Sequence, residues 1–351
     1  MWNGRFFLTI LIAVLAMPSV SGQPIRVTEL PQQRLRVTPG QYSGITWVSG
    51  NRYAVVDDKL PGGGIVFFDI PLRPDGAVRT ARVRQTVPDA TMSSPVSGLD
   101  NEGVTYADGK LYVSAEGDQS IREYEPDGTA TGAAFPVPAD LGPEAIVRNG
   151  GFEAFTSNAE TGRFWVTTEM PLKEEGEASL VHCLQRFDAS HQPDGRWLYR
   201  TDAPERPVAE NNSVMAYVHG ISALTALDDG RLIVLEREVY VPAGRPRDIL
   251  DHTFSKMKLY VVDPSGNPDG ILPKQFLCAF ETRLSLTVAG IDVALANYEG
   301  MCLGPRLSDG RRCLILIADS QGGMASLASS LGRKQLTCEF VKVILLEGEG
   351  I

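Results

Sequence analysis

Residues 101–128 and 298–321 of this chain are built to one plan. Each opens on Glu-Gly (Glu102-Gly103, Glu299-Gly300) and runs as a short apolar strand. Each then turns at Asp-Gly and returns as a second apolar strand that ends in an acid. Asp-Gly between apolar runs marks a tight hairpin, because both turn positions take positive φ. Three further copies keep the plan in weaker form. They pair Gly44-Ile45-Thr46-Trp47 with Tyr53-Ala54-Val55-Val56-Asp57-Asp58, Phe152-Glu153-Ala154-Phe155 with residues 163–169, and Ile221-Ser222-Ala223-Leu224 with residues 231–236. The copies begin near Ser43, Glu102, Glu153, Ser222 and Glu299, roughly 50 to 77 residues apart, a little above the usual blade spacing.

Each copy offers a third strand, over 64–70, 120–125, 179–188, 257–263 and 337–347. A fourth follows the first four copies, as over 77–85 and 274–280. The last copy has none. Residues 33–37 stand unassigned before the first copy and predict an outer strand for the blade containing Cys313 and Cys338. Such a strand closes a ring and removes its open edge. The fold class is therefore all-β: a β-propeller of five blades, closed by an N-terminal strand. The stretch between Leu284 and Ala296 leaves room for a sixth blade.

Met1 to Arg5 carries one positive charge, Phe6 to Met17 is uninterruptedly apolar, and Pro18 precedes the small residues Ser19 to Gly22. That order reads as a secretory signal peptide over 1–22. Residues 23–351 are then a single exported domain, periplasmic or extracellular, with no membrane span after cleavage. The chain carries 33 basic and 43 acidic residues, a formal net charge of −10. An acidic surface without a basic stripe argues against nucleic acid as a partner. The five cysteines form no CxxC pair, and the four histidines form no HxxxH or HExxH pair, so zinc-site readings lack ligands. There is no Gly-x-Ser-x-Gly elbow for an α/β-hydrolase serine.

The innermost strand of a blade borders the central channel, so Glu102, Glu153 and Glu299 are expected near its mouth. The acids ending the second strands, Asp57, Asp58, Glu116, Glu169, Glu236 and Asp319, form a second set on that rim. Crowded carboxylates need a proton, a basic residue or a metal ion to coexist. Oxygen-only ligands suit Ca²⁺ or another hard divalent cation. The expected ligands are Glu102, Glu153 and Glu299, helped by Asp57 or Asp319. Glu116 or Glu169 is the candidate general base. Arg237 is placed to pair with acids or to hold a phosphate or carboxylate. His219 precedes the fourth inner strand and is a further catalytic candidate.

Taken in order, several motifs resemble the phytase-like family described as having the esterase-like activity of phytase. They are Tyr42-Ser43-Gly44-Ile45-Thr46-Trp47 with residues 53–58, Leu99-Asp100-Asn101-Glu102-Gly103 with residues 111–118, Gly151-Phe152-Glu153-Ala154-Phe155, residues 230–238, Lys258-Leu259-Tyr260-Val261-Val262-Asp263, and Tyr298-Glu299-Gly300-Met301 with residues 315–320. The resemblance implies an exported propeller, a small-molecule ester or phosphoester substrate, and metal-assisted hydrolysis. It also implies an acid in the fourth inner strand, where this chain has Ala223. A phytate-scale polyanion calls for several Lys or Arg, and the motifs supply only Arg237 clearly. Two other readings stay open: a non-catalytic propeller that binds a ligand or protein, and a lactonase-type propeller with one central divalent ion.

Overall fold

The computed structural model describes residues 24–59, 64–88, 99–206, 213–266, 270–287, 290–332 and 336–351. The expected leader over 1–22 lies outside them. Two short strands come first, β1 (Arg26–Glu29) and β2 (Gln33–Leu35). Blade 1 is β3 (Tyr42–Ser49), β4 (Arg52–Asp57), β5 (Gly64–Asp69) and β6 (Arg82–Pro88). Blade 2 is β7 (Asn101–Ala107), β8 (Lys110–Ala115), β9 (Ser120–Tyr124) and β10 (Ala130–Ala134). Blade 3 is β11 (Phe152–Asn158), β12 (Arg163–Thr168), β13 (Val181–Phe187) and β14 (Pro193–Arg200). Blade 4 is β15 (Val214–Ala226), β16 (Leu232–Pro242), β17 (Phe254–Val262) and β18 (Lys274–Thr287), with β19 (Gly290–Val293) added at the end of β18. Blade 5 is β20 (Asn297–Arg306), β21 (Arg312–Asp319) and β22 (Glu339–Glu347). Helix α1 (Pro246–His252) follows β16, and α2 (Gln321–Ser330) follows β21.

Five antiparallel sheets make a five-bladed β-propeller. The stretch that left room for a sixth blade is the β18–β19 hairpin of blade 4. Closure uses more chain than expected. Residues 33–35 pair with the start of β22, and β1 also pairs with its second half, Arg26 opposite Glu347 and Glu29 opposite Ile344. Two segments joined by a short connection thus replace one outer strand.

The apolar runs are continuous because both faces of a blade are covered. In β4, Tyr53 and Val55 pack toward blade 5, while Ala54 and Val56 pack toward blade 2. Alternation along a strand sends successive side chains to opposite faces. Five apolar cores result, one between each pair of neighbouring blades. All five cysteines are buried free thiols in or beside these cores. The hairpin turns differ from the expectation in detail. Asp108 and Gly109 both have positive φ, 49° and 78°. At Asp229-Gly230 and Asp309-Gly310 only the glycine does, and the Asp carboxylate instead accepts the backbone N–H of Arg231 or Arg311 at 3.1 Å.

The inner strands meet around the axis almost backbone to backbone. A Cβ on Gly44 would lie 2.4 Å from the Glu102 carbonyl oxygen, one on Gly103 2.5 Å from Phe155 Cβ, and one on Gly300 2.9 Å from the Ser43 carbonyl oxygen. The Gly of the repeated Glu-Gly is therefore the contact point of adjacent blades.

Removal of residues 24–38 strips the closing strands and the buried Ile25, Leu35 and Val37. The melting temperature is expected to fall by about 10 °C or more, from a loss of several kcal/mol. Thermal denaturation of the truncated and full chains checks this, and equal stabilities would contradict closure by β1 and β2.

Candidate functional site

One irregularity recurs in all five blades. The register of inner strand against second strand slips between Tyr42 and Gly44, Asn101 and Gly103, Phe152 and Ala154, Ile221 and Ala223, and Tyr298 and Gly300. The skipped residues are Ser43, Glu102, Glu153, Ser222 and Glu299. A bulged residue is released from the ladder and its side chain is re-aimed. All five line the same narrow space on the axis. The fourth-blade counterpart of the three glutamates is thus Ser222, and Ala223 takes the small-residue position of Gly44, Gly103 and Gly300. The Ser222 hydroxyl donates to the Tyr298 carbonyl at 3.2 Å.

The same register sorts the second set. Opposite the residue before each bulge stand Asp57, Ala115, Thr168, Glu236 and Ala318. One step on come Asp58, Glu116, Glu169, Arg237 and Asp319, on the other strand face. Arg237 therefore occupies a blade position that is acidic in the other four blades. Asp57 and Glu236 fall out of this ring. Asp57 accepts the backbone N–H groups of Gln41 (3.3 Å) and Lys59 (3.1 Å). Glu236 is buried and accepts from Tyr199 (2.6 Å), Lys274 (2.6 Å) and the Asp202 backbone (3.0 Å).

The guanidinium of Arg237 joins the two rings. It donates to Glu153 Oε1 at 3.2 Å, to Asn297 Oδ1 at 3.2 Å, and at closer range to Glu169 and Glu299. Asn297 also donates to Glu299 at 2.8 Å. Arg237 is only 3% exposed and its Nε has no partner. Arg237 thus spends its charge within the protein on three glutamates. Near-full burial of the pairs makes removal of one partner costly.

Glu102, Glu153 and Glu299 each offer an oxygen within 4.8 Å of the others, and all three are buried or nearly so. Glu102 belongs also to a second group with Asp58 and Asp100. Lys59 bridges that group, 2.6 Å from Asp58 and 2.7 Å from Asp100. Burial, then Glu299, Asp58 and Asp100, holds the Glu102 carboxyl well above its ordinary range, against a hydrogen bond from Ser43. Burial and Glu169 do the same to Glu153. Asp58 is pushed up to about 6, chiefly by burial. Asp319 is raised by burial and Glu299, while its Oδ1 accepts the Gln321 N–H at 2.5 Å. It lies beside the rim, outside both three-carboxylate groups.

Glu116 is half-buried and its carboxylate accepts the Gly151 N–H at 2.8 Å, with burial raising its pKa. Glu169 is buried against Arg237. His219 stands opposite Glu238 in the β15–β16 ladder, on the strand face away from Arg237. It borders a small cleft with Lys256 and Lys258, and burial lowers its pKa. The structure thus gathers Glu102, Glu153, Glu169, Glu299 and Arg237, and sets His219 and Asp57 apart. Lys59, Asp100 and Asn297 were missed from sequence. Their signal was proximity in sequence to expected site acids: Lys59 follows Asp58, Asp100 stands two residues before Glu102, and Asn297 two before Glu299.

The family model described as "Phytase-like: Esterase-like activity of phytase" matches residues 38–321. The chain belongs to this phytase-like family. No curated protein matches it. Similar solved structures include a streptogramin B lyase (12% identity, 92% of this chain and 98% of that one, TM-score 0.37). Others are the endo-arabinase of Bacteroides thetaiotaomicron VPI-5482 (12%, 91% and 96%, 0.44) and the PQQ-bound aldose sugar dehydrogenase of Streptomyces coelicolor (11%, 94% and 100%, 0.42). At such scores no chemistry passes from them to this phytase-like chain. No helix among the described residues is long and apolar enough to cross a membrane.

Two outcomes follow from the charge arrangement. Arg237→Met strands Glu153, Glu169 and Glu299, and is expected to cost about 3 kcal/mol or more. Adding Glu169→Gln should restore part of that loss, and a chemical-denaturation double-mutant cycle measures the coupling. The second outcome concerns pH. A carboxyl whose folded pKa is raised keeps a proton that the unfolded chain has released. Its contribution is whole below the unfolded value and is lost as pH rises through the folded one. With unfolded values of about 4, Asp58 at about 6 and Glu339, pushed up to about 7 by burial beside Ser320, put the loss between about pH 4 and 7. With a chelator present, the melting temperature should therefore decline over that range. A flat or rising profile would contradict the burial of these acids.

Proposed function

We propose that the phytase-like chain is an exported hydrolase that cleaves a phosphoester or small ester at the channel mouth with the help of a hard divalent cation, Ca²⁺ foremost. The observation that carries this reading is the convergence of Glu102, Glu153 and Glu299, whose oxygens lie within 4.8 Å of one another. The donor set is all carboxylate, which suits Ca²⁺ rather than a soft metal. Positive charge is scarce there: Arg237 is shared among three glutamates, and Lys59 serves Asp58 and Asp100. Glu102 is raised by both acidic groups at once, which supports a further cation beside it.

Glu102, Glu153 and Glu299 would hold the ion, and Arg237 with Asn297 fixes the side chains of Glu153 and Glu299. When bound, the cation supplies Lewis-acid polarisation of an ester oxygen and a more acidic water. Asp58 has attributes of a general base: burial pushes its carboxyl up to about 6, its side chain is 17% exposed, one oxygen is held by Lys59 and the other, buried, has no partner. Glu116 is the alternative base, more firmly tied through Gly151. The leader read over residues 1–22 would place this chemistry outside the cytoplasm.

Ca²⁺ is expected to raise the melting temperature by mass action, in proportion to the logarithm of its concentration above Kd. Glu102→Gln should weaken that shift and lower hydrolysis of 4-nitrophenyl phosphate or 4-nitrophenyl acetate at least tenfold. Glu175→Gln, on an exposed loop, should do neither. An unchanged calcium response in Glu102→Gln, Glu153→Gln and Glu299→Gln alike would give the lead to a non-catalytic binding propeller.

A further inference from the structure

Blade 4 is longer than the others toward the channel mouth. Its first two strands have 13 and 11 residues, against 7 and 6 in blade 2. The excess, residues 214–219 and 238–242, is the open end of the β15–β16 ladder, on the far side of the Ser222 bulge from the turn at 227–231, with β17 and β18 pairing alongside it. Helices α1 and α2 pack near it, and a sixth apolar cluster joins Val239, Val241, Ile249, Leu295 and Leu327 on this side alone. None of the five interblade cores needs this cluster.

Along β16, Arg237, Val239 and Val241 alternate on one face. The same face carries Val218 and Ala216, opposite Val239 and Val241 in the ladder. Together with Leu295 and Leu327 they wall a cavity of about 210 Å3. Its polar corner is Asn297 and Asp319, with Gln321 beside them, and Asn297 contacts both Arg237 and Glu299. The cavity thus begins at the carboxylate cluster and runs outward along an apolar wall. Met215, 40% exposed, lies at its solvent side. Among the described residues no Lys or Arg lines it.

We infer that this cavity seats the apolar arm of a neutral carboxylic ester, open-chain or cyclic, whose ester group lies at the Asn297–Asp319 corner. This rests on the hydrolase reading and narrows its substrate class. A cavity of about 150 Å3 holds a benzene ring, so about 210 Å3 takes a ring with a short substituent or a chain of about six carbons. The apolar wall gives a polyanion no partner, and Asp319 and Glu299 repel a phosphate dianion at the inner end. Hydrolysis there joins a water oxygen to the acyl carbon and breaks the acyl C–O bond. The alkoxy oxygen leaves with a proton from that water.

The test uses 4-nitrophenyl esters with acyl chains of two to eight carbons, 4-nitrophenyl phosphate, and calorimetric titration with 1-hexanol and hexane-1,6-diol. kcat/KM is expected to rise about fourfold per methylene up to about six carbons, as each is buried, with the phosphate a poor substrate. Hexanol should bind and the diol bind far more weakly. Ala216→Trp, at an exposed position on the wall, should flatten the length series and abolish hexanol binding while leaving the melting temperature near that of the parent. Hexanol binding that Ala216→Trp blocks, without hydrolysis of any ester, would sustain the cavity's role as an apolar-arm site and overturn the hydrolase reading beneath it. Ester hydrolysis without length dependence or hexanol binding would overturn the cavity assignment and leave the hydrolase reading standing. Preference for the phosphate over every acyl ester would also overturn it.

Discussion

Five inner strands share one narrow axis, and everything else in this protein is arranged around how closely their backbones approach. The approach is possible because the residue after each bulge is small: Gly44, Gly103, Ala154, Ala223 and Gly300. At Gly44 and Gly103 even one added carbon would press into the neighbouring blade. The bulge itself follows from the same crowding. It lets one residue leave the ladder and present its side chain on the axis while the backbone keeps pairing on either side. Structure and site thus come from a single device, repeated five times.

Repetition of the device concentrates charge. A ring position filled by Glu in three blades, above which four of five blades carry a second acid, would be self-repelling if left alone. Two substitutions within the pattern relieve it. Ser43 and Ser222 interrupt the glutamates, and Arg237 replaces an acid in blade 4 and draws Glu153, Glu169 and Glu299 onto its guanidinium. The remaining excess of carboxylate is answered by raised pKa values and by Lys59. The asymmetry continues outward. Blade 4 bears both the arginine and the extended strand ends, so the polar and apolar halves of the mouth are built from the same blade.

Much of this was legible in the residues. Glu-Gly, Asp-Gly and a terminal acid recur because each blade solves the same packing problem, and a repeated solution shows as a repeated spelling. Glu102, Glu153 and Glu299 could be placed at the mouth for that reason. The second ring was blurred. Asp57 and Asp58 are adjacent, as are Glu236 and Arg237, and a strand turns its face with every residue. Only the ladder register tells which of each pair meets the axis. Ala223 was matched to the glutamates for the same reason, where the bulge selects Ser222. β1 escaped notice because its residues, Arg-Val-Thr-Glu, are mostly exposed and lack an apolar signature.

The sequence by itself determined the all-β repeat, a ring of at least five blades, the need for a closing strand near residues 33–37, and the presence of a carboxylate-rich mouth. Those follow from local periodicity and turn chemistry, which neighbouring residues carry in full. Tertiary structure alone decided that Arg237 faces Glu153, Glu169 and Glu299, that Glu102 joins two acidic groups, and that an apolar cavity opens beside them. These depend on distances between side chains from 44 (Asp58 to Glu102) to 197 (Glu102 to Glu299) residues apart. Those distances are set by strand register and blade angle, and no local pattern encodes either.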